Sequence, residues 1–317
     1  MPPPPPAPPL LSGVVVHWYA EDLLVELAAA WPRDPRFELV VVDNGSRGPL
    51  ALPEGARLVS PGRRNLGFGG GANAGIAVAR APLVLILNPD AVPEPGALDE
   101  ILRAFAAYPD AAGIAPRLAG LEGEPQFAWQ LRDLPTPWAC LAQVLLLPGP
   151  PTYIEEPAAG TVVEQPAAAA LALRRESLAR LPGEPGFDPG FYPAWFEDVD
   201  LAKRLKASGQ VLRYAPAARF RHRLGSSVPR LGYGTFLWVY DRNLTRYLAK
   251  HHGRAWAGAA RALLPLGLLL RLLLLPLRCP QRAASRAEAG RGLLAALAGA
   301  LTGWRRPARL ATGEGFR

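Results

Sequence analysis

The sequence predicts an α/β protein in which helices flank a mostly parallel sheet, with a helical appendage at the C terminus. Residues 83–87 are five consecutive large apolar residues, a run typical of a central strand buried on both faces. Short apolar strands and helical segments alternate through the first half of the chain, which favours a parallel sheet with right-handed crossovers. Beyond Gly232 the apolar spacing becomes helical.

The elements of the first half follow from apolar runs and the turn signals between them. Pro32 ends the first helix, and Asp43-Asn44-Gly45-Ser46 is a strong turn signal after the second strand. The fourth strand should stop at Pro89, because proline has no backbone N–H to donate to a neighbouring strand. We predict strands at residues 14–16, 39–42, 57–60 and 83–87, and helices at residues 21–31, 74–80 and 97–108.

The second half is less regular, but apolar runs still mark its elements. A proline-interrupted apolar stretch at residues 129–147 is interpreted as a loop and helix over the functional site. Gly209 provides a stop signal for the helix that precedes it. We predict strands at residues 114–118, 162–173, 211–214 and 219–222, and helices at residues 176–181 and 197–208.

Composition divides the chain into three parts. Residues 1–12 form a proline-rich leader that we expect to be disordered, residues 13–231 the α/β domain, and residues 232–317 a basic amphipathic helical tail. Residues 250–317 carry 12 Lys and Arg against two Glu, whereas residues 1–249 carry 23 basic against 25 acidic residues. Positive charge confined to an apolar tail favours an anionic membrane surface over a nucleic acid as partner.

The tail is expected to lie on a membrane surface rather than to cross the bilayer. The strongly apolar residues 263–277 are interrupted by Arg271 and bracketed by Pro265 and Pro276, and a spanning helix needs about 20 apolar residues. The alternative is that the leucines of this run pack on the α/β domain.

The two cysteines lack metal-ligand spacing and fit a reducing compartment. Together with the absence of a signal-peptide pattern, these features predict a cytoplasmic protein, peripheral on the inner face of the cell membrane.

Polar residues follow two of the predicted strands. Asp43 ends the second strand, and Asn88 and Asp90 follow the fourth. Because the carboxyl ends of parallel strands meet at the edge where ligands bind in open α/β sheets, these side chains should face the same rim. One carboxylate can read a nucleobase, and the other can hold a divalent cation that carries a phosphate. The alternative for both segments is a turn without further function.

The glycine-rich residues 67–75 can bring backbone N–H groups close to phosphates at the start of a helix. This stretch follows the third strand and lacks the G-x-G-x-x-G spacing of a dinucleotide-binding fingerprint. The chain contains no G-x-x-x-x-G-K-[ST] sequence, which excludes a P-loop. On its own, a glycine-rich loop is a weak signal of phosphate binding.

Three carboxylates, Glu197, Asp198 and Asp200, open a predicted helix. The helix dipole stabilises acidic residues there by about 0.3–1 kcal/mol each, but two would suffice for capping. Trp195 and its aromatic neighbour form an apolar wall that would raise the pKa of an adjacent carboxylate and suit it to accept a proton. Arg204 in the same helix can face a phosphate or pair with Asp200, and the sequence leaves both alternatives open.

His222 follows a short predicted strand and lies between Arg221 and Arg223. Imidazole can serve as a ligand of Mn²⁺, so His222 is a candidate second ligand for a cation at Asp90. A structural histidine is an equally good reading of the same residue.

These motifs, taken as an ordered set, resemble family 2 inverting glycosyltransferases of the GT-A fold, in particular the bacterial rhamnosyltransferase-like branch. The GT-A fold is a Rossmann-like, mostly parallel sheet flanked by helices, and the resemblance covers about residues 13–230. The matching segments, in chain order, are Val42-Asp43-Asn44-Gly45-Ser46, residues 65–73, Leu87-Asn88-Pro89-Asp90, Phe187-Asp188-Pro189-Gly190-Phe191, residues 196–201 with Arg204, and His222 with Gly225-Ser226.

The resemblance implies a role for each matching residue. Asp198 would be the catalytic base, with Glu197 beside it near the acceptor. Asp43 would hydrogen-bond the uracil or thymine of the donor, and Asp90 and His222 would hold Mg²⁺ or Mn²⁺. The remaining assignments are Asn65, Gly67, Asn73 and Asn88 on the donor nucleotide, and Trp195 and Arg204 on the acceptor or phosphate side.

The chain departs from the family pattern at two places. His17-Trp18-Tyr19 stands where a Tyr-Asn or Trp-Asn pair is usual, which affects contacts to the base or ribose. Ala167-Ala168-Ala169 stands where a Gly-Ala pair is usual, which affects packing on the acceptor side.

The activity implied is metal-dependent transfer of a sugar, such as rhamnose, from a dTDP- or UDP-linked donor to a hydroxyl of a cell-surface or lipid-linked glycan, with inversion. One alternative is a nucleotidyltransferase that makes sugar nucleotides, although the basic triphosphate loop it needs near the first strand is missing from the sequence. The other alternative is a non-catalytic, membrane-associated protein that retains the fold. No nucleic-acid partner is expected.

Overall fold

The computed structural model describes residues 7–62, 65–148, 153–225 and 231–304. Its strands are β1 (Leu11–His17), β2 (Phe37–Asp43), β3 (Arg57–Val59), β4 (Leu83–Leu87), β5 (Ala91–Pro93), β6 (Ala111–Ala119), β7 (Leu131–Arg132), β8 (Val162–Val163), β9 (Gln165–Pro166), β10 (Ala170–Arg174) and β11 (Val211–His222). Its helices are α1 (Glu21–Ala30), α2 (Gly67–Val78), α3 (Ala97–Ala107), α4 (Phe127–Gln130), α5 (Pro137–Val144), α6 (Arg175–Ala179), α7 (Glu197–Ala207), α8 (Tyr233–His251), α9 (Arg254–Leu274) and α10 (Arg286–Leu301). This mixed α/β architecture with C-terminal helices confirms the predicted fold class.

The chain forms two compact units, and the first comprises residues 1–134, 153–190 and 197–224. Among the described residues, its main sheet has nine strands, ordered β3-β2-β1-β4-β10-β6-β11-β5, with β8 paired to β11. The first four strands in that order are parallel, as predicted. The next strand, β10, is antiparallel to both β4 and β6, whereas β11 runs parallel to β6.

Apolar side chains explain why these strands occupy the centre of the sheet. Every residue of β1 and β4 is buried, and so are the first six residues of β2. Strands covered on both faces need near-continuous apolar runs, which these segments provide. The main core cluster joins the strands to α1 and α3 through side chains such as Leu24, Leu27, Leu85, Ile101 and Phe105.

Helix α2 begins at Gly67, whereas the sequence predicted a glycine-rich loop and a helix from about Ala74. The glycines are part of the helix because they let its backbone pack directly on β1. A Cβ atom added to Gly71 would lie 2.7 Å from Val16 Cγ1, and one added to Gly75 would lie 2.3 Å from Val14 Cγ1. The low helix propensity of glycine is therefore outweighed by close packing between helix and sheet.

Other boundaries also differ from the prediction. β1 begins at Leu11, within the predicted leader, and residues 1–6 of that leader lie outside the described residues. The segments predicted as two strands at 211–214 and 219–222 form one strand, β11, with an irregularity between Ala215 and Arg219. The predicted strand at 162–173 is divided among β8, β9 and β10, because the chain turns between them to pair with different partners.

The second unit comprises residues 135–152, 191–196 and 225–317, of which 149–152, 226–230 and 305–317 lie outside the described residues. Helices α8 and α10 cross closely, since a Cβ atom on Gly234 would lie 2.9 Å from the Cα atom of Gly292. The apolar cluster that holds the helices together consists of Tyr233, Phe236, Leu237, Leu268, Ala289, Leu293 and Ala296. The predicted domain boundary at residue 231 remains a prediction.

Helix α9 is longer than the sequence predicted. Pro265 was expected to bracket the apolar run, but it lies inside a helix of 21 residues. By length and composition alone, α9 is the one described helix that is apolar enough to cross a membrane, which corrects the expectation that the run is too short. Arg271 lies on the same helix face as the buried residues Leu264 and Leu268 and donates to the carbonyl oxygens of Val144 (2.6 Å) and Gln143 (2.9 Å).

We predict that Gly75→Ala destabilises the first unit, although alanine favours helices. The added methyl would overlap Val14, and overpacking of this kind costs about 1–3 kcal/mol, which exceeds the helix-propensity gain of about 1 kcal/mol. Urea unfolding followed by circular dichroism measures the change. The matched control is Gly258→Ala in α9, where a new Cβ atom meets no neighbour within 4 Å and stability should not fall. Equal stability of the Gly75→Ala variant and the original chain would contradict this packing.

Candidate active site

The carboxyl ends of β1, β2 and β4 meet at one edge of the sheet. His17 and Asp43, the last residues of β1 and β2, are paired in register, and Asn88 follows β4 directly. The Asp43 carboxylate accepts hydrogen bonds from the backbone N–H of Gly45 (3.1 Å) and the hydroxyl of Ser46 (2.8 Å). These contacts form the predicted turn and fix the carboxylate at the rim, where its remaining lone pairs can accept further hydrogen bonds.

Asn44 connects this rim to the start of α2, a role that sequence reasoning missed. Its buried side chain donates to Asn65 Oδ1 (2.9 Å) and to the carbonyl oxygen of Gly67 (3.1 Å), and it accepts from the N–H of Leu66 (2.6 Å). Asn65 Oδ1 also accepts from the N–H of Gly67 (2.8 Å). The sequence signal for Asn44 was a turn motif, which predicts local structure but not a link 21 residues further along the chain.

Asn73 fastens a distant loop to α2. Its amide donates to the carbonyl oxygen of Phe187 (2.7 Å) and accepts from the N–H of the same residue (2.9 Å). Gly186 makes this approach possible, because a Cβ atom there would lie 2.5 Å from Asn73 Oδ1. Both ends of the amide are engaged, so these contacts give the predicted role of Asn73 in donor binding no geometric support.

Asp90 and His222 lie side by side in the buried interior of the first unit. Their exposed fractions are 4% and 2%, and Asp90 Oδ1 is 3.5 Å from His222 Nε2. The antiparallel pairing of β11 with β5 produces this contact, since it places His222 opposite Ala91, the residue after Asp90. The topology therefore brings together the two residues that the sequence proposed as metal ligands.

Gln126 fixes the tautomer of His222. Its Nε2 donates to the carbonyl oxygen of His222 (2.9 Å), so its Oε1 must be the atom that lies 2.8 Å from Nδ1. Nδ1 therefore carries the proton and donates, which leaves the Nε2 lone pair directed at Asp90. The ring of Trp129 stacks on the imidazole at 4.8 Å between centroids. Sequence reasoning missed both residues, because neither lies near His222 in the chain.

The charge state of this pair suits a divalent cation. Burial lowers the pKa of His222 below its usual value, and the Asp90 carboxylate acts in the opposite direction. A neutral imidazole and a carboxylate are both acceptors, and a cation between them would satisfy both. Among the described residues, no group of three or more His, Cys, Asp or Glu side chains could hold a metal. Two ligands fit an ion such as Mg²⁺ or Mn²⁺ that takes its other ligands from phosphates and water.

The three carboxylates at the start of α7 have different environments. Asp200 is fully buried and accepts from Arg204 Nε (2.8 Å), which settles the alternative for Arg204 in favour of pairing. Arg204 also donates to the carbonyl oxygens of Glu184 (3.0 Å) and Gly186 (2.5 Å), so it holds the same loop as Asn73. Asp200 and Arg204 thus form a structural pair rather than a phosphate contact.

Glu197 is buried, and its Oε2 has no hydrogen-bond partner among the described residues. Burial raises its pKa well above the usual range, and the neighbouring charges of Asp198 and Asp200 raise it further. Its environment therefore favours the protonated form, whose hydroxyl can donate a hydrogen bond. The sequence predicted a raised pKa for a carboxylate next to the aromatic residues. In the structure, Glu197 is the carboxylate whose environment raises its pKa.

Asp198 is the half-exposed member of the group. Its Oδ1 accepts from the N–H of Val199 (2.8 Å), and its Oδ2 faces Gln165 Nε2 (3.5 Å) and the N–H of Ala168 (3.4 Å). The next residue, Ala169, accepts a hydrogen bond from the N–H of Asn88 (2.9 Å). A two-residue segment before β10 thus joins Asp198 to the Asn88-Pro89-Asp90 motif, which brings these candidate residues to one region.

Trp195 belongs to the second unit, where its ring packs edge-on against Phe236 at 4.8 Å between centroids. Both Trp195 and Phe196 have positive φ values, of 67° and 73°, which non-glycine residues rarely adopt. The fully buried Asn243 supports this turn by donating to the carbonyl oxygens of Ala194 (2.9 Å) and Trp195 (3.0 Å).

Comparison with known proteins identifies the family of this chain. A model of glycosyl transferase family 2 matches residues 19–178. The N-acetylglucosaminyl-diphospho-decaprenol L-rhamnosyltransferases of two Mycobacterium tuberculosis strains are 27% identical over 279 residues, which cover 80% of this chain and 87% of theirs.

Two solved structures are also similar. The Pyrobaculum calidifontis mannosyltransferase PcManGT, in complex with GDP-Man and Mn²⁺, aligns over 94% of this chain and 88% of its own, with 17% identity and a TM-score of 0.50. S. aureus TarS 1–349 aligns over 93% of this chain and 83% of its own, with 15% identity and a TM-score of 0.46. The family match covers half of the sequence, and we conclude that the chain belongs to glycosyl transferase family 2 and is a glycosyltransferase.

Proposed function

We propose that this enzyme transfers a sugar, with rhamnose as the first candidate, from a dTDP- or UDP-linked donor to a hydroxyl of a lipid-linked or cell-surface glycan, with inversion. The observation that carries the proposal is the link through Ala168 and Ala169, which ties Asp198 to the segment that contains Asp90. The rhamnosyltransferase activity in the names of the Mycobacterium tuberculosis relatives supports the choice of sugar and of a lipid-linked acceptor.

Asp198 is the residue that we assign as base. Its carboxylate is half-exposed and is oriented by Gln165 and Ala168, so an acceptor hydroxyl can reach it. When it takes the hydroxyl proton, the acceptor oxygen attacks the anomeric carbon from the face opposite the leaving diphosphate. One displacement of this kind inverts the configuration. In its protonated form, Glu197 would be a hydrogen-bond donor beside the base.

Asp90 and His222 are the residues that would hold Mg²⁺ or Mn²⁺. When bound, the cation would neutralise the charge that develops on the leaving diphosphate. Asp43 and Asn88, at the same sheet edge, would contact the nucleotide together with Asn65 and Gly67 at the start of α2.

A panel of nucleotide sugars tests the donor assignment. In the presence of Mn²⁺, dTDP- or UDP-sugars should raise the melting temperature and be hydrolysed slowly without acceptor. Asp198→Asn should keep this stabilisation but reduce transfer by about 10²–10⁴-fold, since it removes the base while preserving shape. Asp22→Asn, at an exposed carboxylate of α1, is the matched control and should transfer normally. Stabilisation by GDP-mannose alone, or normal turnover by the Asp198→Asn variant, would contradict the proposal.

The Gln126–His222 contact predicts how metal activation responds to mutation and pH. Gln126→Leu should weaken the apparent Mn²⁺ affinity by about 10–100-fold, because nothing then holds the ring in the required tautomer. Metal binding needs a neutral imidazole, and the His222 pKa lies below its usual value. The Mn²⁺ activation constant should therefore change little as the pH falls from about 7.5 to about 6 and rise only below that.

Gln143→Leu, at an exposed glutamine of α5, is the control for that experiment and should leave the Mn²⁺ activation constant unchanged. Full activity of the Gln126→Leu variant at low Mn²⁺ concentration would remove the metal assignment from His222.

We also propose that the second unit binds the membrane surface through α9. Leu266, Leu269 and Leu273 are 49%, 46% and 74% exposed and share one helix face, while Arg271 lies on the buried face. The exposed face is thus apolar, and Arg278 and Arg282 follow it in the chain. An apolar face with basic neighbours suits the boundary of an anionic bilayer.

Vesicle flotation tests this assignment. The enzyme should bind vesicles that contain anionic lipid, more weakly at high salt because screening reduces the attraction of the arginines. Replacing Leu269 and Leu273 together with Gln should abolish binding, whereas Leu58→Gln, at a leucine of β3 that is 50% exposed, should not. Undiminished flotation of the double variant would contradict the role of α9.

A further inference from the structure

Arg132 belongs to a short row of residues that leads away from the proposed base. It is paired with Gln165 across the antiparallel strands β7 and β9, and with Tyr153 through an isolated antiparallel bridge on its other side. Directly opposed residues in antiparallel strands project from the same face, with Cβ atoms about 4.5–5.5 Å apart. The side chains of Tyr153, Arg132 and Gln165 therefore project from the same face of these strands.

One end of this row touches Asp198. Gln165 Nε2 is 3.5 Å from Asp198 Oδ2, so Arg132 is one strand away from the residue that contacts the base. The opposite face is the apolar one, because Leu131 is 1% exposed and its partner Pro166 is buried. Gln165 itself is only 1% exposed, whereas Arg132 and Tyr153 are half-buried, so Arg132 is the first partly exposed residue of the row beyond the contact with Asp198.

The charge of Arg132 has no counterion among the described residues. Its Nε atom is shielded from solvent and has no hydrogen-bond partner in the described part of the chain. The nearby carboxylate of Glu164 is already engaged by Lys206 and by the N–H of Leu134 (3.0 Å). Arg204, by comparison, is fully paired with Asp200 and two carbonyl oxygens.

A guanidinium without a counterion among the residues described, one strand away from the residue that contacts the proposed base, suits an anionic substrate. Sheltering a charge from water is costly unless a counterion meets it, and the planar fork of arginine matches the oxygens of phosphate. A carboxylate in the protein would neutralise Arg132 permanently, whereas a phosphate would arrive with the substrate. In a glycosyl phosphate, the phosphate and the acceptor hydroxyl are attached to the same sugar ring. The phosphate could therefore lie at Arg132 while the hydroxyl lies at Asp198.

We propose that Arg132 binds a phosphate on the anomeric carbon of the acceptor sugar, so that the acceptor is a glycosyl phosphate or diphosphate rather than a neutral glycan. This inference rests on the proposed function, because it takes Asp198 as the residue that the acceptor hydroxyl approaches. Arg132 is then a specificity-determining residue that selects the acceptor by its charge.

Acceptor binding tests the proposal with the donor site saturated by dTDP or UDP and Mn²⁺. The probes are N-acetylglucosamine linked through diphosphate to a short alkyl chain and the neutral alkyl glycoside of the same sugar. Calorimetry should show that the enzyme binds the diphosphate probe about tenfold or more tightly than the neutral probe. Arg132→Gln should remove this preference, and Arg132→Lys should keep part of it, since lysine retains the charge without the fork.

Arg180→Gln, at an exposed arginine of the same unit, is the control and should retain the full preference. Dissociation constants for dTDP or UDP that are unchanged in Arg132→Gln would show that this variant is folded and that its donor site is intact. Equal affinity of the original enzyme for the two probes, or an undiminished preference in Arg132→Gln, would overturn the proposal. The Asp198→Asn variant should keep the preference for the diphosphate probe. Failure of the role proposed for Asp198 as base can therefore be distinguished from failure of the role proposed for Arg132.

Discussion

The antiparallel direction of β10 relative to β4 is the constraint on which the rest of the site depends. Because β10 runs antiparallel to β4, it starts at the edge where β4 ends, with Ala170 opposite Leu87. The residues just before it, Ala168 and Ala169, therefore lie beside Asn88 and can offer an N–H to Asp198 and a carbonyl to Asn88. Backbone groups make this link, so three alanines can stand where the family usually has a Gly-Ala pair.

The acidic residues at the start of α7 are close together in the chain but have different environments. Asp200 is paired with Arg204, burial raises the pKa of Glu197, and Asp198 keeps access to solvent, although all three lie within one turn of α7. Different environments give neighbouring carboxyl groups different tasks. The Asp90–His222 pair follows the same logic, since burial keeps the imidazole neutral and Gln126 turns its lone pair towards the carboxylate.

Sequence reasoning predicted the parallel strands and the rim residues, because apolar runs end visibly at Asp43 and at Pro89. It placed the start of α2 seven residues too late, since the value of glycine there comes from contact with β1, which is not a local property. Sequence reasoning missed the roles of Gln126, Gln165 and Asn44 because their hydrogen-bond partners are distant in the chain. The antiparallel direction of β10 likewise depends on its pairing with β4 and β6, which no local sequence pattern encodes.

In the mechanism that we propose, Asp90, His222 and Asp198 serve one reaction centre. Anomalous diffraction from crystals grown with Mn²⁺ and a nucleoside diphosphate tests it most directly. We predict a manganese peak bonded to Asp90 Oδ1 and His222 Nε2, with the Asp198 carboxylate facing the open side of the diphosphate. A peak held by other residues, or Asp198 directed away from the nucleotide, would contradict it.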